Sequence, residues 1–283
     1  MVSAGIAAPP DVRHIPFDLS GRETAPRLDA VDCVFHLAGL AHRVPKTTAE
    51  AGEFFLINAR GTERVLQALS DHPPAAFLLV STVAVYGRET GDALTEETML
   101  NAQDPYGKSK IEAEQAVRNW TTQHAVRAAI LRLPLVIGAT APGNFGRMFE
   151  AIRRRRYAGI GKGDARRSMV LASDVAKIAA KAAGTGGTFH LTDGRHPSFA
   201  ELEEALSRSL GRKRPPHIPL PLAKAMAVAG DLLERTGRRM PFSSRTLEKM
   251  TASLTFSDEP ARKSLGWSPH SVVEAIPEIV RTW

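Results

Sequence analysis

Tyr106 and Lys110 stand four residues apart in Tyr106-Gly-Lys-Ser-Lys110, at the start of a stretch with helical spacing. Residues i and i+4 share one helical face, one turn apart. A lysine ammonium beside a tyrosine favours the phenolate and draws the phenol pKa down from about 10. A phenolate held this way can act as general base toward a sugar or alcohol hydroxyl. Tyr-x-x-x-Lys alone is a weak pattern that surface helices carry by chance. Its weight comes from what stands around it.

The elements that must position this pair alternate in type. Val31–Leu37 (VDCVFHL) is a short apolar run bounded by polar segments, which predicts a buried strand. Glu53–Leu69 shows helical spacing, with Phe54, Ile57, Val65 and Leu69 as inner positions. Pro73-Pro74 stops it, and Phe77–Val80 begins a second strand. Tyr106–His124 is a second amphipathic helix, followed by a strand over Ala128–Leu133 that Pro134 closes. Such alternation implies a parallel sheet with right-handed crossovers, covered on both faces. Ser81-Thr82 and Leu37-Ala-Gly-Leu40 both follow strand ends. Ligands of an open α/β sheet sit outside those ends, so these segments and Tyr106 converge on one rim.

Beyond Pro134 the chain turns mainly helical. Helices are expected over Asn144–Arg156, from a Ser173 or Asp174 cap to Ala183, and over Ser198–Leu210, Leu222–Arg235, Ser243–Met250, Asp258–Leu265 and Ser271–Arg281. Ser198 with Glu201 three residues on reads as a capping box, and Gly211 as the stop. Short strands are expected at Met169–Leu171 and Thr188–Leu191. Leu222–Leu233 is apolar enough to suggest a membrane or partner helix. It is too short to span, and a packed helix is expected.

Composition bounds the rest. With 283 residues and 43% hydrophobic content, a full core is expected. Cys33 is the single cysteine, so no internal disulfide can form, which suits a reducing cytoplasm. Within its apolar run it reads as a buried small hydrophobe. No signal peptide, membrane span or metal site is expected. The net charge is +7, densest at Arg153-Arg-Arg-Arg156 with Lys162, Arg166 and Arg167 following. A solvated helix end and part of a diphosphate pocket are the readings of that cluster. Aromatic residues are only 6% and do not interleave with it, so nucleic acid is poorly supported as a partner.

Five motifs together resemble the extended short-chain dehydrogenase/reductases, the NAD-dependent epimerase/dehydratase group. They are HLAG at His36–Gly39, NxxGT at Asn58–Thr62, STVAVYG at Ser81–Gly87, YxxxK at Tyr106–Lys110 and LRLP at Leu131–Pro134. Gly143-Asn-Phe145, Arg167–Asp174 and Leu265-Gly-Trp267 extend the resemblance, which is strongest to bacterial UDP-sugar 4-epimerases. It implies Tyr106 as the base, Thr82 as hydrogen-bond partner of the reacting oxygen, and Lys110 as the group that holds the nicotinamide ribose. It implies cofactor contacts from Asp18, Leu37, Ala38, Gly39, Asn58, Ser81 and Pro134. It implies substrate contacts from Asn144, Arg167 and, more weakly, Arg245. Arginine suits phosphate because its fork binds two oxygens at once. Tyr86 and His36 read instead as packed core residues, and Asn58 can equally serve only to hold a loop.

The resemblance fails at one place. Members of the group open with a strand, a glycine-rich turn and a helix whose N-terminus binds the pyrophosphate. Here the first glycines are Gly5, Gly21 and Gly39, with no Gly-x-x-Gly-x-x-Gly ahead of a helix. Gly159-Ile-Gly161-Lys-Gly163 sits at the wrong position. The expectation is that a first strand, first helix and second strand are missing, about 35 to 50 residues by ordinary element sizes.

The fold expected is therefore α/β: a Rossmann-like doubly wound parallel sheet, N-terminally truncated, with a small mainly helical C-terminal lobe. Residues 1–140, joined by about 168–195, would bind NAD, and 141–283 would mainly bind substrate. The function expected is NAD-dependent epimerisation of a nucleotide sugar, in the cytoplasm, by a homodimer paired partly through Tyr106–His124. A reductase or dehydratase, a 3β-hydroxysteroid-type dehydrogenase and a non-catalytic nucleotide-sugar binder are the alternatives. Val83 and Ala84 after Thr82 leave no carboxylate where a dehydratase needs one. Asn144 and Arg167 argue against the steroid reading.

Overall fold

The computed structural model describes residues 15–21, 26, 28, 30–138, 143–234 and 242–283, with the side chains of residues 234 and 245 outside that set. The strands are β1 (Cys33–His36), β2 (Ala76–Thr82), β3 (Gly91–Leu94), β4 (Arg127–Leu133), β5 (Leu135–Ile137), β6 (Gly159–Ile160), β7 (Met169–Leu171), β8 (Gly187–His190), β9 (His217–Ile218) and β10 (Leu254–Phe256). The helices are α1 (Thr48–Phe54), α2 (Gly61–Ala68), α3 (Pro105–Gln123), α4 (Gly143–Arg153), α5 (Ala172–Thr185), α6 (Phe199–Ser209), α7 (Leu220–Glu234), α8 (Ser244–Thr251), α9 (Glu259–Leu265) and α10 (Val272–Arg281).

Strands β1, β2, β4 and β8 pair side by side in that order, all parallel. Their side chains alternate between two cores, as a period of two requires. Leu78, Leu131 and Phe189 pack against Ala182 and Ala183 of α5 and Ala261 and Leu265 of α9. Phe77, Leu79 and Ile130 face Leu66 of α2 and Val117 and Trp120 of α3. Both faces of β2 and β4 are thus covered, which is why those strands read as continuous apolar runs. Among the described residues β1 forms one edge of this sheet. Phe35 is exposed there, and Cys33 is half-buried rather than fully enclosed as expected.

The stretch between β1 and β2 is one helical run whose middle, Phe55–Arg60, is π-helical. Single π turns inside α-helices recur at functional sites. The run carries Asn58. The C-terminal lobe has its own core of Phe145, Phe149, Leu202, Leu206 and Ile276. Ser198 and Glu201 form the expected capping box on α6. The cap expected on α5 is not made: Leu171 occupies that position, and Asp174 instead accepts from the backbone and ring of His270. Gly159 and Ile160 pair with β9, so the glycines at 159–163 serve a small sheet. Among the described residues no helix is long and apolar enough to cross a membrane.

Candidate functional site

Asp104 caps α3 by accepting from the Gly107 amide at 3.0 Å, with Pro105 at the first helical position. Tyr106 therefore sits in the first turn, and Lys110 follows one turn later. The seat is tight. A Cβ on Gly107 would stand 2.8 Å from the Ala84 carbonyl and 2.5 Å from the Ala102 Cβ. That close approach brings the start of α3 onto the turn that follows β2. Thr82 is the residue from which that turn begins, and its hydroxyl accepts from the Ala84 amide at 3.2 Å. The Thr82 side chain lies close enough to the Tyr106 phenol to oppose the upward push of burial on its pKa. The Tyr106 ring leans edge-on against Phe54 of α1, 6.1 Å between centroids.

Lys110 is buried, and its ammonium donates to the Val80 carbonyl at 2.7 Å. Burial lowers its pKa to about 8, against an opposing pull from Glu114. The expected depression of the Tyr106 pKa is not found. Burial pushes the phenol up, the Thr82 side chain opposes this, and the Asp104 charge adds to the rise. Lys110 is spent on Val80 rather than on the phenol, so in this state Tyr106 is a protonated phenol.

Asn58 pins the loop after β1. Its Oδ1 accepts from the Leu40 amide at 2.7 Å, and its Nδ2 donates to the Leu40 carbonyl at 3.0 Å and to Ser109 Oγ at 2.9 Å. Ser109 in turn donates to the Tyr106 carbonyl. One side chain thus ties Leu37-Ala38-Gly39-Leu40 to α3, the behaviour of a loop-holder. A Cβ on Gly39 would stand 3.0 Å from Asn58 Oδ1, so the chain passes closely there. Behind it, the Thr62 hydroxyl donates to the Asn58 carbonyl, which leaves its oxygen to accept from His36 Nε2 at 2.9 Å. Burial, reinforced by the Lys110 charge, lowers His36 to about 3. It is a neutral core histidine, as its apolar strand suggested.

The sequence reading missed the polar bracket beneath Thr82. Glu114, one turn beyond Lys110, accepts from Ser81 Oγ at 2.6 Å and from Arg132 Nη2 at 2.8 Å. Arg132 Nη1 donates to the Tyr86 hydroxyl at 2.9 Å, and Tyr86 donates to His190 Nε2 at 2.6 Å. His190 Nδ1 closes the chain on the Ser257 carbonyl at 3.0 Å. Ser81 therefore faces into this bracket, and Thr82 alone of the pair meets Tyr106. The signal available was a glutamate eight residues after a tyrosine, two helical turns on, and an arginine inside an apolar strand.

In the C-terminal lobe, Asn144 is exposed in the first turn of α4. Gly143 beside it lies against His42 of the loop after β1, with a Cβ there 3.5 Å from His42 Nδ1. The two segments share one rim. The Arg167 fork is engaged by backbone. Both terminal nitrogens donate to carbonyls at the end of α8, Nη1 to Ala252 at 2.6 Å and Nη2 to Lys249. Arg153 and Arg154 pair with Glu150, the behaviour of a solvated helix end. Arg147, Arg154 and Arg156 line a surface cleft of about 500 Å³ along α4. Asp18 accepts from the Ser20 amide and hydroxyl, and Leu19 beside it packs on Gly61. Pro134 is half-buried between β4 and β5. The side chain of Arg245 lies outside the described residues.

A nicotinamide ribose fits this arrangement. Two polar side chains, Tyr106 and Lys110, stand one turn apart at the carboxyl edge of the sheet, beside a loop whose glycine allows close approach. No glycine-rich turn stands ahead of a helix in the sequence to meet a pyrophosphate.

The family model of the NAD dependent epimerase/dehydratase family matches residues 8–190. The chain is similar to the N-acetyl-α-D-glucosaminyl-diphospho-ditrans,octacis-undecaprenol 4-epimerase of Escherichia coli O157:H7, 25% identical over 79% of this chain and 70% of that one. It is 28% identical to the UDP-glucose 4-epimerase of Lactobacillus helveticus over 42% of this chain, and spans only 36% of that relative's length. In fold it resembles a UDP-glucose 4-epimerase from Thermotoga maritima solved with UDP-glucose. There the TM-score is 0.68 at 21% identity, over 89% of this chain and 76% of the other.

Proposed function

The chain belongs to the NAD dependent epimerase/dehydratase family, and on that premise we propose that it inverts the C4 hydroxyl of a nucleotide sugar, a UDP-sugar foremost, by transient oxidation. The single observation that carries this reading is the seating of Tyr106 against the turn that begins at Thr82, with Lys110 one turn further along α3. NAD, held by Tyr106, Lys110 and the Leu37–Gly39 loop, would supply reversible hydride transfer at the sugar carbon.

The protein's own residues supply the rest. Thr82 orients the reacting oxygen and Tyr106 accepts its proton. A phenol raised by burial is a weak base, so a nearby positive charge must favour the phenolate when substrate reacts. Lys110 supplies that charge once its ammonium turns from the Val80 carbonyl to the ribose and phenol. Asn58 keeps the Leu37–Leu40 loop in place, and Asn144 and Arg167 face the diphosphate. For Arg167 this requires exchanging at least one α8 carbonyl for a phosphate oxygen. We further propose a homodimer paired through α3 and the neighbouring α2, whose outer surfaces form a groove lined mostly by polar residues, among them Glu63, Gln67, Asn119 and Gln123.

A second reading of the carrier is favoured by the match that covers 79% of the chain, whose name specifies a polyprenol diphosphate. The reacting sugar would be the same and only the group beyond the diphosphate would differ. Incubation with UDP-N-acetylglucosamine and with its polyprenyl-diphosphate counterpart, followed by sugar analysis, tests both. Conversion of the first supports the nucleotide reading, conversion of the second alone supports the polyprenol reading, and conversion of neither refutes the proposed reaction.

A further inference from the structure

Helix α7 packs through its smallest residues and turns its largest ones outward. Ala223, Ala227 and Gly230 are buried against the Leu247 region of α8, and a Cβ on Gly230 would fall on the Phe242 carbonyl. Leu222, Met226, Ala229 and Leu233 succeed one another at steps of three and four residues on the outer side. Ala225, Val228 and Leu232 form the adjoining row. All seven are exposed, Val228 at 64% and Leu232 at 63%. The packed helix that was expected is found, and it packs through its small residues. The helix contact is made by alanine and glycine, and the leucines remain outside.

Scattered exposed leucines need no explanation, but a continuous helical face of them does. Its surroundings are basic. Residues 212–234 hold four lysines and arginines against two acidic residues. Arg212, Lys213 and Arg214 are exposed in the loop before β9, and Lys224 is exposed on α7 itself. A second copy is a poor occupant, because an isologous pairing would bring these like charges together. An anionic lipid surface satisfies both features at once, with an apolar face entering the acyl boundary and basic residues at the headgroups. The helix has 15 residues, enough to lie in the interface and too few to span.

We propose that α7 docks this protein on the surface of an anionic phospholipid bilayer. The attachment holds whichever carrier the sugar has, and it is independent of turnover. The test is co-sedimentation of the purified protein with phosphatidylcholine vesicles, with and without about 30% phosphatidylglycerol. The expected result is sedimentation with the anionic vesicles, reduced about tenfold without phosphatidylglycerol and weakened by high salt. The double variant V228Q/L232Q should lose about tenfold in vesicle binding with an unchanged far-ultraviolet circular dichroism spectrum. The triple variant R212Q/K213Q/R214Q, which leaves the apolar face intact, should lose binding and its salt dependence together. Wild-type protein that stays in the supernatant with anionic vesicles would overturn the proposal. So would a V228Q/L232Q variant that binds as wild type, or one whose only change is dissociation of a dimer in sedimentation equilibrium.

Discussion

The Lys110 ammonium donates to the Val80 carbonyl at 2.7 Å, which ties the helix that carries Tyr106 to the strand that carries Thr82. The same ammonium is the charge the proposed reaction needs beside the phenol. Replacing Lys110 by Met should cost about 1–3 kcal/mol of stability, the penalty of a buried carbonyl left unpaired. Turnover should fall by about 10²–10⁴, the usual worth of positioned acid–base chemistry. Arg at this position should not restore it, because a planar fork does not reproduce a point charge. Denaturant midpoints and steady-state rates separate the two effects. A Lys110→Met variant with normal turnover would leave this lysine a structural strut only.

Gly107 sets the distance between Tyr106 and Thr82. A methyl at this position meets the Ala84 carbonyl at 2.8 Å and Ala102 at 2.5 Å. Gly107→Ala should therefore push the first turn of α3 off the turn after β2, at a cost of about 1–3 kcal/mol. The rate loss should be much larger than that stability loss implies, since about 1 Å of misplacement can cost about 100-fold. Equal activity in Gly107→Ala and wild type would show that the Thr82–Tyr106 distance does not limit the reaction.

Glu114 and Arg132 form a buried pair at 2.8 Å, each about 5% exposed or less at its side chain. Truncating Glu114 to Ala leaves an arginine buried without its carboxylate and frees Ser81. A loss of about 3–5 kcal/mol is expected, read from the urea midpoint. A loss below about 1 kcal/mol would mean that water or a rearranged Arg132 replaces the carboxylate.

Acid should destabilise this fold through its buried histidines. Burial, reinforced by the Arg132 charge and opposed by the Ser257 carbonyl, holds His190 at about 4. His36 lies at about 3. Both values lie below the unfolded 6.5, so the unfolded chain takes up protons first as pH falls. Stability is then full above about 6.5 and is lost progressively as pH falls below it, down to about 4 for His190 and about 3 for His36. Urea midpoints at pH 7.5 and pH 5 measure this. The drop should be shallower in His190→Gln than in wild type, and an equal slope in the two would remove His190 from the account.

The sheet was legible from sequence because its strands are apolar on both sides and its helices keep a 3.6-residue period. The positions of Tyr106, Lys110 and Asn58 followed from strand-end and helix-start chemistry. The Glu114–Arg132–Tyr86–His190 bracket was not legible. Its members lie on different elements, and each is a polar residue inside an apolar pattern, a deviation that periodicity averages away. Charge reasoning from types alone misjudged Tyr106, whose pKa is governed by burial rather than by Lys110. Which side of α7 makes the contact was not legible, because a hydrophobic count cannot tell which of Ala, Gly and Leu makes it.

The most direct test of the proposed reaction follows the C4 centre of UDP-glucose or UDP-N-acetylglucosamine by NMR in D₂O, with wild-type protein and the Tyr106→Phe variant side by side. The account predicts inversion at C4 by wild type with no deuterium at that carbon, because the hydrogen travels as hydride. It predicts an intact fold and no inversion for Tyr106→Phe. Inversion that persists in Tyr106→Phe, or that brings deuterium onto C4, would contradict it.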